Sequence, residues 1–155
     1  MKHPSFLPQF FLGLALFFAL AFGASAAGRT VVYLADGGAG DGSAPDKAVL
    51  ADAYAALDLD RDCTVVVSGV YTQTEDFALG SDYSGSVTFT SRYGTTDYRA
   101  AGAAYRFSSV GFACYGQTGF ENLDFEALET GFLLVGQHHP VRIGEGCVMR
   151  GAQMT

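Results

Sequence analysis

The chain is poor in basic charge. It carries 9 Lys and Arg against 16 Asp and Glu, a formal net charge of −7. No basic patch reverses that balance, so nucleic acid is excluded as a partner. Cysteine is scarce too. There are 3, at Cys63, Cys114 and Cys147, with no C-x-x-C among them. A disulfide framework is therefore not expected, and the odd count leaves at least one free thiol. Buried single cysteines acting as small apolar fillers account for them, with one Cys pair left open. A G-x-S-x-G elbow is lacking, which withholds support from serine hydrolase chemistry. No Lys-Ser/Thr follows a Gly-rich loop, which argues against a P-loop. The longest apolar run covers residues 10–22. A run of about 13 residues is short for a membrane span.

That run has another use. Lys2 and His3 form a short basic start, and the apolar stretch from Phe10 to Phe22 follows. Ala24 and Ala26 then give the A-x-A pattern of a cleavage site. Residues 1–26 read as a secretory signal peptide, cut near Ala26, and 27–155 as the mature chain. The mature chain keeps every acidic residue and contains no membrane span. It is expected to be secreted or held at the cell surface. An acidic surface suits such a protein and disfavours polyanionic pectate unless calcium bridges the charges.

Val31-Val32-Tyr33-Leu34 reads as a strand. A Gly-rich loop, Ala35 to Asp46, follows. From Lys47 to Leu57 the apolar residues Leu50, Ala53, Tyr54 and Leu57 share one helical face, with Ser43 or Asp46 as a cap and Pro45 in the first turn. After the acidic turn Asp58 to Asp62 the chain breaks into short β-rich runs punctuated by Gly, Ser, Asp and Thr. These are residues 63–69, 86–91, 104–109, 112–116, 120–126, 131–136 and 140–146. An apolar-x-apolar core recurs at Val65-x-Val67, Val87-x-Phe89, Leu123-x-Phe125 and Val141-x-Ile143. Val65 to Val87 is 22 residues, Val87 to Leu123 is 36, and Leu123 to Val141 is 18. Two of these steps match one coil of a β-solenoid, and the middle one carries an insertion. In this register Val66, Thr88, Asp124 and Arg142 form one outward column, with Asp124 and Arg142 on adjacent coils. The fold expected is all-β, the start of a right-handed parallel β-helix with an N-terminal amphipathic capping helix. A β-sandwich is the alternative.

The strand, the DGGxGDG loop, the helix ending in ADAYAAL, then TVVVSGVY, GSVTFTS and GFENLDFE together resemble a known family. They are similar to the start of secreted right-handed parallel β-helix proteins of the pectate-lyase-like superfamily, above all large bacterial surface proteins. The likeness covers roughly Val31 to Arg150. It implies an exported module with a scaffold or adhesive role, contacting extracellular polysaccharide. The alternative it implies is the N-terminal part of a polysaccharide lyase or glycoside hydrolase whose active coils lie beyond residue 155. The chain is expected to be truncated at its C-terminus, because it stops without a closing cap.

Four sets of residues are candidates for chemistry. Asp58, Asp60 and Asp62 open like a calcium loop, but Cys63 and Gly69 stand where that loop needs Gly and Glu; a solvated acidic turn is the competing account. Glu121, Asp124 and Glu126 with Arg142 supply the residue types of a glycosidase pair or a lyase base. Asp124, Glu126 and Arg142 are the catalytic candidates, and neither set is complete; an outward ladder with a surface ion pair explains them equally. Arg92, Tyr93, Asp97, Tyr98 and Arg99 lie in the insertion. Tyr beside Arg suits a sugar ring, and a polar loop explains the same cluster without a ligand. His138 and His139 precede Pro140, and adjacent side chains on an extended chain point apart, as a solvated turn requires.

Overall fold

The computed structural model describes residues 28–37, 40–45, 48–79, 84–128, 133–136 and 138–151. The expected signal peptide 1–26 and its expected cut, the expected Asp46 cap and Lys47 lie outside the described residues.

Strand β1 (Val31–Leu34) is followed by helix α1 (Leu50–Ala55), then β2 (Cys63–Val67), β3 (Val70–Gln73), β4 (Phe77–Leu79) and β5 (Ser86–Thr90). A hairpin of β6 (Arg92–Tyr93) and β7 (Thr96–Asp97) and a 3-10 turn (Tyr98–Ala101) interrupt the series. It resumes with β8 (Ala104–Phe107), β9 (Gly111–Cys114), β10 (Gln117–Glu121), β11 (Asp124–Ala127), β12 (Leu133–Gly136), β13 (Arg142–Ile143) and β14 (Val148–Arg150). The strands sort into three sheets, ordered β1-β2-β5-β10-β13, β3-β8-β11-β14 and β4-β9-β12. Every ladder in them is parallel; only β6 and β7 pair antiparallel. From β2 onward, the β6–β7 hairpin aside, consecutive strands go to different sheets, and each sheet gains one strand per circuit. This is a solenoid-like stack, not a sandwich of antiparallel sheets.

Alternation of side chains explains why the stack holds. In the first sheet Val32, Val65, Phe89, Phe120 and Ile143 occupy one register column. The first four are at most 1 % exposed. In the second sheet Tyr71, Tyr105, Phe125 and Met149 stack likewise, and in the third Phe77, Phe112 and Leu134. Aromatic rings meet across the tube, with Phe89 stacked on Phe120 at 5.2 Å and edge-on to Phe112 at 5.5 Å. Tyr105 is fully buried because its hydroxyl donates to Gln73 Oε1 at 2.9 Å. The Gln73 amide in turn donates to the carbonyls of Glu75 and Gly111, so a polar corner sits inside without an unmet bond. Cys63 and Cys114 are buried fillers, and Cys147 is half-buried; all three are free thiols.

At the first coil α1 packs on β1, with Leu50 and Ala53 in the core. The Tyr33 N–H donates to the Gly42 carbonyl at 2.9 Å, so the glycine-rich segment occupies the free edge of β1. The helix is shorter than residues 47–57, and Val49 takes the N-cap position with no side-chain cap. The Ser43 N–H instead donates to Asp41 Oδ1, fixing the loop.

The repeat is real, but its register differs from the one the spacing predicts. Val65 pairs with Phe89, not Val87. That slip of two residues preserves which side each residue faces. The run 120–126 is not one strand. It breaks at Asn122, whose φ of 47° turns the chain from the first sheet into the second. Leu123-x-Phe125 therefore lies at the second sheet, and Phe120 pairs with Phe89 instead. Asp124 and Arg142 are consequently on different sheets. Strands β3, β4 and β14 escape the sequence reading because each is only 3 or 4 residues long.

Candidate functional site

Three outward regions carry the candidate residues. The first is the outer face of the first sheet. Thr64, Thr88, Gly119 and Arg142 share one outward column, and Val66, Thr90 and Glu121 the next. Over β5, β10 and β13 this face forms a groove of about 470 Å³. Thr88 and Gly119 form its floor, with Glu121, His139 and Arg142 around it. Gly119 matters through what it lacks. A Cβ there would sit 3.7 Å from Thr88 Oγ1, so glycine leaves the floor open between Thr88 and Arg142. The groove thus gathers a carboxylate, an imidazole and a guanidinium above a polar floor. Such a set presents both hydrogen-bond donors and acceptors.

The second region is the insertion. It is not a free polar loop. Gly94, at φ 60°, allows the tight turn between β6 and β7. The hairpin folds back over the first two coils. Tyr33 of β1 meets the Tyr93 ring edge-on at 6.3 Å and the Tyr98 ring at 6.4 Å. Burial raises the Tyr33 hydroxyl's pKa, and the neighbouring Tyr98 and Tyr93 add to it. Beneath lies Val66, which points outward yet is fully buried. Val66 keeps its expected outward direction but lies under this cover, in a column with Thr90 and not Thr88. Arg92 and Tyr93, adjacent on a strand, serve opposite sides of the ribbon. Arg92 pairs with Asp97 at 3.0 Å. Arg99 clasps both oxygens of Asp97 at 3.1 and 2.9 Å and reaches the Gly146 carbonyl at 2.7 Å, joining the insertion to the last coil. These bonds from Arg99, then Arg92, hold the Asp97 carboxyl well below the usual range.

The third region is the outer face of the second sheet. Asp124 lies 3.9 Å from Arg99 and 3.7 Å from Arg150. Glu126 accepts from Arg106 Nε at 2.7 Å. Both carboxylates are thus engaged by arginines of this face and the insertion, while Arg142 lines the groove on the other sheet. The structure does not bring Asp124, Glu126 and Arg142 together.

The acidic turn before β2 is used locally. Asp62 Oδ1 accepts from the Ser86 N–H at 3.0 Å and its hydroxyl at 2.8 Å. Asp60 accepts from the Ser84 hydroxyl, and the Asp58 carbonyl from the Cys63 thiol at 3.0 Å. Among the described residues no group of three or more His, Cys, Asp or Glu side chains is placed to hold a metal ion. Asp58, Asp60 and Asp62 are not gathered into such a group. Among the described residues no helix is long and apolar enough to cross a membrane.

Gly119 is the groove residue that sequence reasoning passed over, and Glu121 and His139, though weighed there, were left out of the catalytic candidates. Treating 120–126 as one strand hid Gly119 and set Glu121 against Asp124. The outward parity shared by Thr88 and Arg142 was the available signal. No protein-family model, no curated protein and no solved structure matches the chain.

Proposed function

We propose that the chain is an exported module of a right-handed parallel β-helix of the pectate-lyase-like kind, capped by α1, serving as an extracellular or cell-surface scaffold that contacts glycan. The observation that carries this reading is the polar groove on a stiff, in-register parallel sheet, with Arg142, Glu121 and His139 around an open floor. Right-handedness follows from the general chirality of parallel crossovers. Surfaces of this kind bind through many modest contacts repeated along a polymer. The groove's mixed charge also offsets the repulsion that an acidic chain offers to an acidic glycan.

The test is binding of the purified chain to immobilised pectate, neutral plant glycans and mucin glycans, with Arg142→Ala as the control. Retention that Arg142→Ala weakens supports the reading; retention unchanged by it, or none on any glycan, overturns it. An enzymatic reading, in which the chain is the N-terminal part of a polysaccharide lyase or glycoside hydrolase, draws on one feature, the meeting of Glu121, His139 and Arg142 in a single groove. Release of unsaturated or reducing ends from the same glycans would replace the scaffold reading with that one.

A further inference from the structure

Tyr93 stands out on the outer surface. It is a large aromatic residue left 43 % exposed, yet its ring is held by Tyr33 on a turn that Gly94 tightens. The hairpin that carries it is fixed at several points. The Tyr98 N–H donates to the Ser91 carbonyl at 2.8 Å, Arg92 pairs with Asp97, and Arg99 ties the segment to Gly146. A ring presented this way loses little conformational freedom when it binds, which is what a stacking platform requires.

Its position relative to the groove gives it a purpose. The outward column Arg142, Gly119, Thr88 and Thr64 runs straight along the solenoid axis, one residue per coil. The groove covers the Arg142, Gly119 and Thr88 positions. Tyr33 pairs with Val66, so it stands in the column beside Thr64, and Tyr93 packs on Tyr33. Strands in a sheet lie about 4.8 Å apart, so Thr64 is about 14 Å from Arg142 along the column. A pyranose unit is of the same order of length as that strand spacing, so the groove proper takes a short oligomer and not a long chain. A longer chain laid along the column therefore passes Thr64 and meets the edge of the hairpin.

We propose that Tyr93 is a distal stacking subsite for an oligosaccharide that lies along the solenoid axis, engaged only by chains longer than the groove. This rests on the glycan-contacting reading of the groove. The ring receives the C–H face of a sugar, while hydrogen bonds at Arg142, Glu121 and Thr88 fix the other end.

The experiment measures affinity against size ladders of oligogalacturonides and cello-oligosaccharides, from dimer to octamer. The chain has no tryptophan but 8 tyrosines, so the emission change on binding is read as the difference between the parent chain and Tyr93→Leu. Tyr93→Leu retains an apolar cover over Tyr33 and removes the ring, and Tyr93→Phe retains the ring. The expected result is affinity that rises with length in the parent chain. Tyr93→Leu weakens hexamers and longer by about three- to tenfold, leaves dimers unchanged, and is rescued by Tyr93→Phe. Arg142→Ala weakens every length. Equal affinity of Tyr93→Leu and the parent for long oligomers overturns the subsite while leaving the groove intact. So does an equal loss at all lengths. Failure of both ladders to bind the parent chain overturns the subsite together with the groove reading.

Discussion

On the inner side of the first sheet, Val65, Phe89 and Phe120 stand in one column, each at most 1 % exposed, and like meets like from coil to coil. On the outer side of the same strands, Thr64, Thr88, Gly119 and Arg142 share a column, and Val66, Thr90 and Glu121 the next. Here the chemistry changes as the coils advance. The inner columns are constrained because each ring must pack on its counterpart one strand away. The outer columns carry no such demand, so they hold a hairpin over the first coils and a groove over the last. Packing dictates the residues on one side of a strand and leaves those on the other free to vary.

The largest effect is expected where that division is sharpest. Phe89→Ala removes a ring that packs on Phe120, Phe112 and Tyr105, and should destabilise the chain by about 3–5 kcal/mol in denaturant unfolding. Arg142→Ala on the outer side should leave the unfolding midpoint nearly unchanged. If both cost the same, the comparison fails. Arg99 tests an intermediate case, an outward residue with a structural task. Arg99→Ala removes the Gly146 and Asp97 bonds and should cost about 1–2 kcal/mol, with hydrogen exchange quickening in the hairpin before the core.

Acid should separate the two sides as well. Asp97 titrates below an ordinary carboxyl because Arg99 and Arg92 bond its charged form. Its stabilisation is therefore complete above the ordinary carboxylate pKa of about 4 and fades as pH falls below that. Near-ultraviolet circular dichroism of the tyrosines should show the hairpin loosening in that range before the core unfolds. Asp97→Asn should abolish that early phase; its persistence would assign the phase elsewhere. The smallest effect concerns the thiols. Burial pushes the Cys114 thiol up to about 11 and also raises Cys63. Half-buried Cys147 should react first with a thiol reagent in the native chain, and Cys114 only at the rate of unfolding.

Much of this was legible in the residues. The spacing of apolar pairs gave a parallel coil with an insertion in the middle step, and both are present. Alternation along β2 and β5 read correctly because Val and Phe at every second position leave one inward face. The same logic failed at 120–126, where one asparagine with positive φ ends a strand and starts another on a different sheet. A pattern of period two does not show such a corner. The candidate sites suffered for it. Asp124 was matched with Arg142, whereas its partners Arg99 and Arg150 come from the insertion and the last coil. The two tyrosines of the insertion suggested a ligand, and both meet Tyr33, a residue 60 and more positions away in the chain.

By itself the sequence determined the inner side of the tube. Burial there depends on residue type and on local alternation, and both are written in a short stretch of chain. The tertiary structure decided the outer side: which outward residue is covered, as Val66 is, which carboxylate meets which arginine, and which three side chains share the groove. Those outcomes depend on pairings across 20 to 60 residues and on where a single corner falls. One shifted register rearranges them all while leaving the hydrophobic pattern intact.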